Sequence, residues 1–130
     1  MSIQLILGGS FQGKLEFALN LTGCSQKDVA DETLPQLWRQ KPILNHLHRL
    51  VYQILQQGGN PQAVLEDILC QNPHAVILCN EIGCGIVPMD AFERKYREAV
   101  GRLCCELAHR AVRVIRVQCG LPMVLKGEPL

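Results

Sequence analysis

The stretch that decides the fold is LILGGSFQGKLEFA, residues 5–18. An apolar run reaches Gly8, four residues follow, and Gly13-Lys14 then open a segment with Leu15, Ala18 and Leu19 at helical spacing and Phe17 beside them. A strand, a glycine loop and a helix in this order are the context in which the pattern G-x-x-x-x-G-K has a physical meaning. The backbone N–H groups of such a loop converge on one point, the helix start adds a partial positive charge, and the lysine amine reaches the outer phosphates of a nucleotide. Gly8, Gly9, Ser10, Phe11, Gln12, Gly13, Lys14 and Leu15 are therefore the expected nucleotide-binding residues. Leu15 departs from the pattern, because a Ser or Thr hydroxyl at that place ligates Mg²⁺ and leucine has no oxygen to give.

The rest of the chain supplies the frame. Residues 75–79, AVILC, are apolar throughout and run into Asn80-Glu81, as in a strand covered on both faces. Glu81 at the end of such a strand is the expected carboxylate for Mg²⁺ or its water, with Asn80 beside the phosphates. Lys14, which would stabilise charge on a transferred phosphoryl group, and Glu81 are the expected catalytic residues. From Ile43 to Gln57 the apolar residues repeat at three and four, which predicts one amphipathic helix ended by Gly58-Gly59. Asn60-Pro61 reads as a cap followed by a first-turn proline, opening a second helix through Leu69.

Asp90 and Glu93 form a capping-box pattern ahead of a long helix. Its buried stripe is Phe92, Tyr96, Ala99, Val100, Leu103 and Leu107, and Arg94, Glu98, Arg102, Glu106 and Arg110 alternate in sign along its outer face. Residues 111–119 predict a strand, and LPMVLKG after it predicts a short final one. Residues 24–42 are polar and weakly periodic, broken by Pro35 and Pro42, with a short strand around Val29. Strands separated by helices predict a single α/β P-loop-like domain, its mostly parallel sheet built from strands near 3–8, 75–79 and 111–119.

Composition narrows the functional classes. At 130 residues, with 48% hydrophobic, 19% charged and 5% aromatic residues, the chain has the make-up of one globular domain with an aliphatic core. A net charge of +1 gives no global reason to expect nucleic acid or an acidic membrane as partner, so an anion site has to be local. No run approaches the ~18 apolar residues of a membrane span and no leader pattern is present, which makes a cytoplasmic location the simplest expectation. The seven cysteines are odd in number and contain no C-x-x-C pair, so they read as reduced, small apolar residues rather than as a zinc or disulfide framework. The four histidines, His46, His48, His74 and His109, include no i, i+4 metal pair and are expected to face solvent.

From residue 79 onward the sequence resembles one family. The run CNEIGCGIVPMDAFERKYREAVGRLCCELAHRAVRVIRVQCGLPMVLK is similar to the adenosylcobinamide kinase / adenosylcobinamide-phosphate guanylyltransferases of cobalamin biosynthesis. These share a T-N-E-V-G-x-G-I-V-P loop, a helix with R-x-x-R-x-x-x-G-R-x-N-x-x-x-A and a last strand leading to G-L-P. Asn80, Glu81, Gly83, Gly85, Ile86, Val87, Pro88, Arg94, Arg97, Gly101, Arg102, Ala108 and Gly120 stand at matching positions, and GGSFQGKL aligns with the family's G-G-x-x-S-G-K-S. The resemblance implies a P-loop fold, GTP or ATP with Mg²⁺, adenosylcobinamide as the other substrate, and oligomers. Departures are Gln12 and Leu15 in place of the loop serines, Cys104 in place of the helix asparagine, and Val112 in place of an acidic residue. The family's middle segment, with the histidine that accepts the guanylyl group, is longer than residues 24–72, and its surroundings match neither His46 nor His48. Two readings follow: a shortened kinase/nucleotidyltransferase, or a catalytically degenerate member that binds nucleotide or serves as partner to a full-length enzyme.

Overall fold

The computed structural model describes residues 2–81 and 90–130. Along the chain the elements are β1 (Gln4–Gly8), α1 (Lys14–Thr22), β2 (Val29–Ala30), β3 (Ile43–Leu44), α2 (Leu47–Gln56), α3 (Pro61–Gln71), β4 (Val76–Asn80), α4 (Ala91–Arg110), β5 (Arg113–Gln118) and β6 (Leu121–Lys126). The strands form one sheet in the order β2-β3-β4-β1-β5-β6, parallel except for the β5–β6 pair. This is the expected α/β architecture with a mostly parallel sheet. β1 lies between β4 and β5, and the register sets Gly8 beside Asn80, so the glycine loop and the end of β4 share the carboxyl edge of the sheet where ligands of such folds bind.

Side-chain alternation builds a core on each face. Leu5, Leu44, Ile77 and Val114 point to the face covered by α2, α3 and α4, whereas Ile6, Ile43, Leu78 and Ile115 meet α1 through Ala18. Strands buried on both faces need apolar residues at successive positions, which is why IQLIL and AVILC read as unbroken runs.

Two boundaries differ from the sequence expectation. The helix predicted from Ile43 begins at Leu47, and Ile43 and Leu44 are a two-residue strand between β2 and β4. Their side chains go to opposite faces of the sheet, and the helical spacing arose because Ile43 and Leu44 fall three or four residues before Leu47, in phase with the stripe of the helix that follows Asn45 and His46. The chain turns between them at His46, whose φ of 66° is left-handed and starts α2. At the other end, β5 and β6 form a hairpin through Cys119 and Gly120, with φ of 53° and 74°. Two positive φ values in a two-residue turn match the twist of an antiparallel pair, so the residues after 118 turn back rather than continue the strand.

The poorly periodic segment 24–42 is held by a few specific contacts. Trp38 is fully buried and its Nε1 donates to the Asp31 carbonyl at 2.8 Å. Asn72 Nδ2 donates to the carbonyls of Trp38 and Lys41 at 3.0 and 2.7 Å, pinning the segment to the end of α3. The charge ladder on α4 also differs from a simple solvated face: Glu106 accepts from Gln62 Nε2, and Arg110 pairs with Glu66, so both reach across to α3. Asp90 caps α4 by accepting from the Glu93 N–H at 2.7 Å. The family-like Gly83, Gly85, Ile86, Val87 and Pro88, together with Cys84, lie outside the described residues.

Candidate functional site

The glycine loop leaves β1 at Gly8, where packing forbids a side chain: a Cβ there would stand 2.4 Å from the Val117 carbonyl oxygen of β5. It re-enters regular structure at Gly13, whose φ of 86° is left-handed and whose carbonyl accepts the Phe17 N–H as α1 begins. Phe11, fully exposed and also left-handed, forms the outer tip. Residues 10 and 11 form a tight turn, and among the described residues no acceptor takes the backbone N–H of Ser10, Phe11 or Gly13. Unengaged amides at a helix start form an anion cradle.

Each predicted loop residue has a definite place. Gln12 straps the loop to the β5–β6 turn: its Oε1 accepts from the Cys119 N–H at 2.5 Å and its carbonyl from the Gly120 N–H at 2.9 Å. Ser10 Oγ accepts from Asn80 Nδ2 at 2.8 Å, tying the loop to β4. Lys14 is buried and folds its amine back onto the Gly9 carbonyl at 2.7 Å. Burial lowers its pKa, with Cys79 and Glu81 opposing. Leu15 packs with the apolar cluster beneath α1, so the position where a hydroxyl would face the phosphates serves the core instead.

Glu81 stands where expected, at the end of β4, with its N–H on the Gly8 carbonyl at 3.0 Å. Its carboxylate is engaged by Arg116 of β5 in a two-pronged pair, Nε to Oε1 at 2.9 Å and Nη2 to Oε2 at 3.0 Å. Bidentate arginine–carboxylate pairs are the stronger, geometrically specific kind. Leu15 has no oxygen to give a Mg²⁺ ion, and Glu81, the other expected ligand, is engaged by Arg116. Among the described residues no three His, Cys, Asp or Glu side chains come together as a metal site.

The histidine expectation needs correction. His74 and His109 are exposed, but His48 is buried and its Nδ1 accepts the Asn80 N–H at 3.2 Å. Burial, with His46, Arg49 and Lys14 nearby, lowers its pKa to about 4. His46 borders the loop, and its Nδ1 meets Glu32 Oε2 at 2.9 Å; Arg49 Nη1 donates to the other Glu32 oxygen at 3.1 Å. Loop residues, Asn80, Asn45, His46 and Arg49 together line a cavity of about 250 Å³. Asn45, Glu32 and Arg49 went unread in the sequence; β3 beside β4 and the left-handed turn at His46 bring this segment to the loop. The six described cysteines are free, but only Cys79 is buried and Cys70, Cys105 and Cys119 are exposed, so the expected use as small core residues holds for few of them. Cys79 and Cys104 sit 3.6 Å apart at sulfur, and that contact together with burial pushes the Cys79 thiol up.

A separate cavity of about 350 Å³ lies between α3 and α4, where Lys95 and Arg102 alternate with Glu98 and Glu106. It has no loop residue in its wall. The loop cavity, by contrast, joins a glycine cradle to β4, and the chain around β4 carries the family evidence. The model of the family described as cobinamide kinase / cobinamide phosphate guanyltransferase matches residues 42–125. The chain belongs to this family. The bifunctional adenosylcobalamin biosynthesis protein CobP of Pseudomonas aeruginosa is 44% identical over 73 residues, which are 55% of this chain and 42% of that protein. The chain thus aligns with less than half the length of this curated relative. This member of the cobinamide kinase / guanyltransferase family has its Asn80, Glu81, His48 and Arg49 inside the matched stretch, and its glycine loop before it. No helix among the described residues is long and apolar enough to cross a membrane.

Proposed function

We propose that this chain holds the phosphates of GTP or ATP in the loop from Gly8 to Lys14 and serves cobalamin biosynthesis in the cytoplasm as a reduced kinase/nucleotidyltransferase relative. The observation that carries the reading is the cavity in which the loop, Lys14 and Asn80 meet Arg49 and His46. Its volume of about 250 Å³ is below the ~300–1,000 Å³ of sites that enclose a whole ligand, which suits a phosphate tail with the nucleoside at the surface. In this reading the Lys14 amine leaves the Gly9 carbonyl for the phosphate. Adenosylcobinamide, named by the resemblance, is the proposed second substrate.

A second reading has its own support. Leu15 offers no metal ligand and the Glu81 carboxylate is engaged by Arg116, which favours a member that binds nucleotide and acts as partner to a full-length enzyme over one that transfers phosphate. Calorimetry with GTP and ATP tests the shared part: Lys14→Ala lowers affinity roughly 10- to 100-fold, the span expected for a charge-assisted hydrogen bond. No binding at millimolar nucleotide overturns both readings. Turnover of adenosylcobinamide with GTP separates them, since product forms only in the first.

A further inference from the structure

The loop cavity is lined by two basic side chains, Lys14 and Arg49, and by no carboxylate. Of the two positions from which a metal ligand is expected, Leu15 has no oxygen and the Glu81 carboxylate is engaged by Arg116. Residues 82–89, which follow Glu81, contain no Asp or Glu. Bound phosphate charge at such an edge has to be balanced by side chains.

We infer that this pocket takes a phosphate-bearing anion without a divalent cation, Arg49 supplying the charge that a metal ion would bring. The inference rests on the assignment of the loop as the phosphate site. A guanidinium has five donors in a planar fork that matches phosphate oxygens. One nitrogen of Arg49 is spent on Glu32, and its side chain is still 59% exposed at the pocket. Glu32 is only 12% exposed and accepts from both Arg49 and His46. It is not part of the lining of this cavity, and its two bonds fix the direction of Arg49 and His46. The amides of the loop and the Lys14 amine add further donors, and no carboxylate lines the cavity, the opposite of a carboxylate-rich metal site.

The test is calorimetric titration of the whole chain with GTP and with inorganic pyrophosphate, each in EDTA and in excess Mg²⁺. Both ligands bind in EDTA, with affinities within about threefold of those in Mg²⁺, and Arg49→Ala lowers the EDTA affinity by roughly tenfold or more. Binding that requires Mg²⁺, or an Arg49→Ala affinity equal to that of the unaltered chain, overturns the inference and leaves the loop as a phosphate site. Pyrophosphate binding without GTP binding overturns the nucleotide reading and leaves this inference standing. Binding of neither overturns both.

Discussion

At the scale of single residues, the glycine loop separates positions that packing dictates from those that chemistry dictates. Gly8 has the Val117 carbonyl 2.4 Å from where a Cβ would stand, whereas a Cβ on Gly9 would meet only Gln12 Cγ at 3.6 Å. Gly8→Ala is expected to cost about 1–3 kcal/mol of folding stability, the usual range for overpacking, and Gly9→Ala little, as urea denaturation of the two variants will show. His48 gives a pH prediction. Its pKa is about 4 in the fold against an ordinary 6.5, so between these values the unfolded chain binds the extra proton and protonation favours unfolding. The contribution is fully present above pH 6.5 and is lost as pH falls to 4, up to about 3 kcal/mol before solvent screening. His48→Leu flattens that part of the stability–pH curve. Because the Nδ1 of His48 accepts the Asn80 N–H, the same protonation loosens the strand end next to the loop.

At the scale of elements, legibility followed the number of neighbours that decide a structure. β1, β4 and α4 were readable because their own side chains settle them: apolar runs for strands covered on both faces, and a long stripe behind Asp90. β3 was not, since two residues carry no period and Ile43-Leu44 is a strand only because β2 and β4 flank it. Arg49, which stands just beyond that strand and lines the loop cavity, went unread with it. Gln12 shows the same limit, as its partners Cys119 and Gly120 are more than a hundred residues away in sequence. α3 was read from its cap alone, and Asn60 does accept from the N–H groups of Gln62 and Ala63 at 3.0 and 3.3 Å. Asn60→Ala is expected to destabilise the fold by about 1 kcal/mol, and Asn60→Gly by less, measured by thermal unfolding.

At the scale of the whole molecule, the sheet order puts β1 at the centre and gathers the loop, Asn80 and Glu81 at one edge, as its strand–loop–helix opening implies. The matched family stretch begins at residue 42, so the family evidence and the glycine loop are independent, and the sheet is what joins them. Across that edge Arg116 holds Glu81, and Arg116→Gln frees the carboxylate. Mg²⁺ is then expected to strengthen GTP binding to the variant by a larger factor than in the unaltered chain, which parallel titrations will compare. The central claim, that phosphate is held between the glycine loop and the start of α2, is tested most directly by titrating GTP into ¹⁵N-labelled protein and following its amide resonances. The account predicts the largest shifts at residues 9–15 and 46–49, lost in Lys14→Ala. Shifts confined to the cleft between α3 and α4, or none at millimolar GTP, would contradict it.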